Sequence, residues 1–112
     1  MYKMRYELIF FEDDTGRYPF ENWINSIKDS RILARIGNRL DRLETGNLGD
    51  YKKIDNDIYE LRLFFGPGYR IYFGIENKVL VVLLCGGNKS TQTKDIKKAK
   101  QNWSKFKSKG RE

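Results

Sequence analysis

Tyr59-Glu60-Leu61-Arg62-Leu63-Phe64-Phe65-Gly66-Pro67-Gly68-Tyr69-Arg70-Ile71-Tyr72-Phe73 reads as two strands and a tight turn. Alternate side chains of a strand share a face, so Glu60 and Arg62 point one way and Leu61 and Leu63 the other. On the second strand Arg70 and Tyr72 share a face, opposite Ile71 and Phe73. With Gly66-Pro67-Gly68 as the loop, Phe65 pairs with Tyr69, Arg62 lies across from Tyr72, and Leu61 across from Phe73. The hairpin then has an apolar face for a core and a second face bearing Glu60, Arg62, Arg70 and Tyr72. Two arginines, a carboxylate and a phenol suit gripping a phosphate and moving its protons.

Working outward, Tyr2 to Phe11 alternates Tyr6, Leu8 and Phe10 and predicts a strand. Pro19 fits the first turn of a helix that carries Phe20, Trp23, Ile24 and Ile27 at helical spacing. A second helix starts at Asp29 or Ser30, either of which can cap it, and ends near Gly46. Its apolar stripe is Ile32, Ile36, Leu40 and Leu43, flanked by Arg31, Arg35 and Arg42. The two helices form a hairpin on the sheet. Tyr51 to Ile54 is a short strand. Past Ile75, Glu76-Asn77 is a second tight turn, and Lys78 to Cys85 is a central strand covered on both sides. Gly86-Gly87-Asn88-Lys89 then leaves the sheet. Thr93 caps a last helix whose stripe is Ile96, Ala99, Trp103 and Phe106, with fraying expected from about Ser108. The order β-α-α-β-β-β-β-α is an α+β domain with a mostly antiparallel sheet.

At 112 residues the chain is expected to form one domain, residues 1–112, without repeat or linker. It lacks an apolar run long enough for a membrane span and lacks a secretion signal, so the expected location is the cytoplasm. With no histidine and one cysteine, it cannot use a histidine base, and neither a metal site nor a cofactor is expected. Cys85 reads as a small buried hydrophobe. The net charge of +7 is lopsided: residues 1–50 hold 8 Lys+Arg against 9 Asp+Glu, and residues 51–112 hold 14 against 6. Basic charge gathered on one part of a domain is a footprint for nucleic acid.

Each candidate residue has a plainer reading beside the chemical one. Arg62 and Arg70 either hold a phosphodiester or pair with a neighbouring carboxylate such as Glu60. Tyr72 is a proton donor, made acidic by the two arginines, or a half-buried aromatic. Glu60 is a general base or an ion-pair partner. Lys89 follows two glycines that permit close approach of a ligand. Lys52, Lys53, Lys94, Lys97 and Lys98 are candidates for contact with an RNA backbone, the alternative being solvated surface. Trp103 and Phe106 share the last helix's packing stripe and read as core.

The chain resembles the RelE/ParE superfamily of toxin–antitoxin toxins, and within it the HigB-like branch of addiction module killer proteins. The resemblance rests on Tyr18-Pro19-Phe20 with Trp23, on Gly46-Asn47-Leu48-Gly49-Asp50, on the hairpin, and on Gly86-Gly87-Asn88-Lys89-Ser90-Thr91-Gln92. It implies the same α+β fold and a toxin held in check by a helix-turn-helix, HigA-like antitoxin. It also implies an mRNA interferase: a metal-independent endoribonuclease that cuts mRNA on the ribosome by attack of the 2′-hydroxyl on the adjacent phosphate. Arg62, Arg70 and Lys89 match basic positions of that family's site. RelE has a lysine where this chain has Glu60 and a tyrosine in the last helix where it has Asp95, while the HigB-like branch usually has aspartate at Asn88. Tyr72 or Glu60 is then the candidate for proton transfer. The alternatives within the superfamily are a ParE-like toxin that acts on DNA gyrase and a degenerate protein that only binds RNA or its antitoxin.

Overall fold

The structure, a computed structural model, describes residues 5–109. Five strands form one mixed sheet in the order β1-β5-β4-β3-β2: β1 (Glu7–Phe10), β2 (Tyr51–Asp55), β3 (Ile58–Leu63), β4 (Tyr69–Glu76) and β5 (Leu80–Gly87). β1 runs parallel to β5, and the other pairings are antiparallel. Helices α1 (Pro19–Ser26) and α2 (Ser30–Glu44) lie on one face, and α3 (Gln92–Lys109) covers the other. The predicted element order and the mostly antiparallel sheet are therefore observed. The expected start of the first strand at Tyr2 lies outside the described residues. No described helix is long and apolar enough to cross a membrane.

Local chemistry accounts for the helix ends. Pro19 opens α1, the Asp29 side chain accepts from the Arg31 backbone N–H at α2, and Gly46, at φ +91°, turns the chain away after α2. The last helix departs from expectation. Asn88, not Thr93, is the capping residue: its Oδ1 accepts from the Ser90 and Thr91 backbone N–H groups and starts a single 3-10 turn that runs into α3. Thr93 lies inside α3, which runs to Lys109; residues 110–112, where most of the expected fraying falls, lie outside the described residues.

The hairpin register is shifted by two residues from the expected one. Arg62 pairs with Arg70, Leu63 with Tyr69, Leu61 with Ile71 and Glu60 with Tyr72. The loop is longer than Gly-Pro-Gly because Phe64 and Phe65 belong to it: the Phe65 N–H turns back to the Leu63 carbonyl, and Gly66 and Gly68 both adopt positive φ. Since the strand period is two, this shift leaves every side chain on its predicted face and changes only its partner.

Both faces of the sheet are covered. Leu61, Leu63, Ile71, Phe73, Val81 and Leu83 pack under α1 and α2. Ile58, Tyr72, Val82 and Leu84 pack under Ala99 and Trp103 of α3. β5 begins two residues later than expected, because Asn77 and Lys78 both take positive φ in the turn. It also runs on through Gly86 and Gly87, which pair with Ile71 and Arg70.

A bulge explains that end of the sheet. Tyr72 pairs with Cys85 but Phe73 with Leu83, so Leu84 is the extra residue on β5. Its carbonyl is met by the Nδ2 of buried Asn102 at 3.0 Å. Beyond the bulge the alternation is inverted: Gly86 turns to α1, where the Trp23 ring lies on it, and Gly87 turns to α3, where Asp95 and Thr91 lie on it. The two glycines make room for these side chains.

Gly74 is covered in the same way by the Trp103 ring, whereas nothing lies within 4 Å of a side-chain carbon added at Gly37 of α2. Gly74→Ala is expected to lose about 1–3 kcal/mol through overpacking, and Gly37→Ala to gain about 1 kcal/mol from helix propensity. Urea unfolding followed by circular dichroism measures both, and equal effects at the two positions would contradict the packing.

Candidate functional site

The hairpin's second face builds a site around one carboxylate. Glu60, on β3, is fully buried, and α3 closes over it. Its Oε1 accepts from Arg62 Nε at 3.2 Å. Its Oε2 accepts from the Tyr72 hydroxyl at 3.0 Å and from Gln92 Nε2 at 2.8 Å. Arg70 Nε lies 3.6 Å from the same oxygen, an ion pair too long for a hydrogen bond, and this buried N–H has no other acceptor. Arg62 and Arg70 stand directly across from each other, an arrangement that repels unless an anion sits between them. Glu60 is that anion.

The consequence is an oriented pair of forks. Glu60 engages both arginines through Nε, the inner edge of the guanidinium. Arg70 Nη1 donates to the Gly68 carbonyl at 2.7 Å. Arg70 Nη2 and both η nitrogens of Arg62 make no hydrogen bond among the described residues. The Arg62 side chain is 32% exposed and that of Arg70 13%. Exposed Lys89 adds a third cation close by: its backbone N–H donates to the Pro67 carbonyl at 3.3 Å, and Gly68 separates its Cβ from Arg70 Nη1. Three cations against one buried carboxylate leave a positive site with planar donors, suited to an anion with several oxygens.

Tyr72 is placed differently from the expectation. It is fully buried, and burial first, then the Glu60 carboxylate, push its phenol well above the usual tyrosine range. The predicted acidification by the arginines is thus reversed. Burial under α3 is the larger cause, and the register shift adds to it, since Tyr72 faces Glu60 where Arg62 was expected. Cys85 is buried as read, and burial followed by Asp95 pushes its thiol up to about 12.

The lysines divide. Lys52 pairs with Glu60 and therefore shares the site's face; Lys53 pairs with Tyr59 and projects from the opposite face. Lys94, Lys97 and Lys98 are exposed on the first turns of α3. Trp103 is core, as expected, with the Phe106 ring stacked on it at 5.5 Å.

Three further residues, Arg39, Gln92 and Asn102, shape the site. Arg39 of α2 donates to the carbonyls of Leu48, Asp50 and Arg62, while the Asp50 carbonyl accepts from the Arg62 N–H. This clamp fixes the end of β3 that carries Arg62, and Gly49, at φ +66°, leaves space for the guanidinium. Gln92, the first residue of α3, and Asn102 are the others. A polar residue among the packing positions of the last helix was the available signal for Asn102; nothing local marks Arg39 or Gln92.

Sequence comparison adds to this geometry. The family described as phage-derived protein Gp49-like (DUF891) matches residues 22–104, which include every residue of the site. An uncharacterised protein of Haemophilus influenzae is 52% identical over 81 residues, covering 72% of this chain and 82% of that relative.

Glu60→Ala is expected to cost about 3 kcal/mol, because it leaves two facing arginines without their counter-ion. Tyr72→Phe should cost about 2 kcal/mol for a buried hydrogen bond to a charged group. Chemical denaturation at neutral pH reads both, and a neutral Glu60→Ala would show that the arginines do not need it. For Cys85, the folded thiol holds its proton to about 12 while the unfolded thiol ionises near 9.0. The stability it contributes is therefore full below pH 9 and is lost as pH rises from there toward 12. At pH 8 a disulfide reagent should label the native thiol at least about 100-fold more slowly than the unfolded one; equal rates would refute the burial argument.

Proposed function

The chain belongs to the Gp49-like family of phage-derived proteins, a family generally of toxins from toxin–antitoxin systems, and on that premise we propose that it is an endoribonuclease toxin. The proposed branch is RelE-like and HigB-like, the substrate is mRNA on the ribosome, and the reaction needs no metal. The observation that carries this reading is the pair of arginine forks on Glu60, open at Arg70 Nη2 and at both η nitrogens of Arg62, and next to Lys89.

In this reading Arg62 and Arg70 bind the non-bridging oxygens of one phosphodiester. The neighbouring ribose 2′-hydroxyl gives its proton to water and attacks the phosphorus, the bond to the 5′-oxygen of the next nucleotide breaks as that oxygen takes a proton from Lys89 or water, and a 2′,3′-cyclic phosphate is left. The negative charge gathered on the phosphorane is met by donors already in place, so little reorganisation is needed. Lys89 stabilises the departing oxygen. Glu60 and Tyr72 act as positioning residues: the carboxylate aims both forks, and the phenol holds one carboxylate oxygen. Lys52, on the site's face, and the exposed Lys94, Lys97 and Lys98 of α3 track the RNA backbone in this reading. A helix-turn-helix antitoxin is the partner that silences it.

The decisive comparison is cleavage of mRNA on programmed ribosomes and of naked RNA, mapped by primer extension in the presence of chelator. Cuts confined to ribosome-bound mRNA are expected, with Arg70→Ala slower by about 100-fold or more while its circular dichroism is unchanged. Full toxicity of a folded Arg70→Ala would remove the hairpin from the mechanism. A toxic preparation that cuts nothing would point to a toxin that works by binding, as the gyrase-directed relatives do.

A further inference from the structure

Across the Pro67–Lys89 contact from the arginines, the end of β5 opens into a cleft of about 470 Å³. Trp23 and Tyr69, with their rings 6.1 Å apart and edge to face, contribute aromatic wall, and Ile27 and Pro67 add apolar surface. Lys28 and Asp29 line its α1 side, and Asn88, Thr91 and Asp95 its α3 side. Asn88 and Asp95 each use only one side-chain atom within the fold. Asn88 uses Oδ1 to accept from Ser90 and Thr91, and its Nδ2 makes no hydrogen bond among the described residues. Asp95 Oδ2 accepts from the Thr91 hydroxyl, and Oδ1 has no hydrogen-bond partner among the described residues. An aromatic wall with a free amide donor on Asn88 and a free carboxylate oxygen on Asp95 is the equipment for holding a flat heterocycle by its face and its edge.

We propose that this cleft receives a single unstacked nucleobase of the RNA, next to the phosphate held by Arg62 and Arg70, with Asp95 and Asn88 reading its edge. The proposal rests on the nuclease reading for its substrate and adds to it the element that selects where the strand is cut. Placement supports it. Asn88 lines the cleft and Lys89, the next residue, stands beside Arg70; Pro67 lines the cleft and Gly68 abuts Arg70 Nη1. Cleft and phosphate site thus share a wall one backbone hydrogen bond thick. A cleft of this volume admits a nucleotide. The inverted alternation after the Leu84 bulge puts Trp23 over Gly86 on one side of the cleft floor and Asp95 over Gly87 on the other.

Two measurements test it. In the first, the wild-type protein is titrated with each of the four ribonucleoside 5′-monophosphates, and separately with ribose 5-phosphate, while the Trp23 indole N–H is followed by NMR. Nucleotides are expected to shift that resonance and ribose 5-phosphate to leave it in place. No shift with any nucleotide at millimolar concentration, or the same shift with ribose 5-phosphate, overturns the proposal. In the second, cut sites of wild type and Asp95→Asn are mapped on the same mRNA. The variant should change the base preference beside the cut by about tenfold while still cleaving; an unchanged preference overturns the reading role of Asp95. A wild-type protein that cuts no RNA would end the nuclease reading, and the nucleotide titration would still decide the cleft.

Discussion

Two arginines facing each other across a pair of antiparallel strands repel, and the molecule tolerates Arg62 opposite Arg70 because a buried carboxylate lies between them. Glu60 has no access to water, so its charge must be met by protein donors, and four residues supply them from two strands and a helix. The requirement runs in both directions. The arginines and Tyr72 make burial of the carboxylate tolerable, and the carboxylate fixes where the guanidinium planes point. A site with outward-facing donors follows from a constraint on folding, before any ligand is considered.

The other side of the sheet's end is organised by the extra residue in β5. Leu84 breaks the alternation, Asn102 satisfies the carbonyl the bulge leaves over, and Gly86 and Gly87 face opposite helices. Each glycine is a place where another side chain had to come closer than a Cβ allows. The residues after the strand are then aimed: Asn88 caps the turn into α3, Lys89 reaches the hairpin loop, and Gln92 reaches Glu60. The bulge and the buried carboxylate are thereby joined through the seven residues between Leu84 and Gln92, which is why the phosphate site and the neighbouring cleft share a wall.

Burial also sorts the candidate groups by what they can do. Tyr72 and Cys85 hold their protons tightly because α3 excludes water from them. They serve the fold, and the charged tips that still reach solvent, on Arg62, Arg70 and Lys89, are the ones available to an anion. The lopsided charge of the chain is concentrated in the half that carries these residues.

The amino-acid order was enough to assign the elements, their sequence along the chain, and the face on which each hairpin residue lies. Those properties follow from local periodicity, turn-forming glycines and proline, and caps within a few residues. A register error of two even left the faces intact, since the strand repeat is also two. Partners were another matter. That Tyr72 meets Glu60 and not Arg62, that the glycine pair stays in the sheet, and that Arg39 ties Arg62 to the loop before β2 all depend on groups far apart in the chain. Nothing local encodes which helix will cover a polar face. Once α3 closed over Glu60 and Tyr72, desolvation set their roles, and desolvation is a property of the packed molecule rather than of any stretch of its sequence.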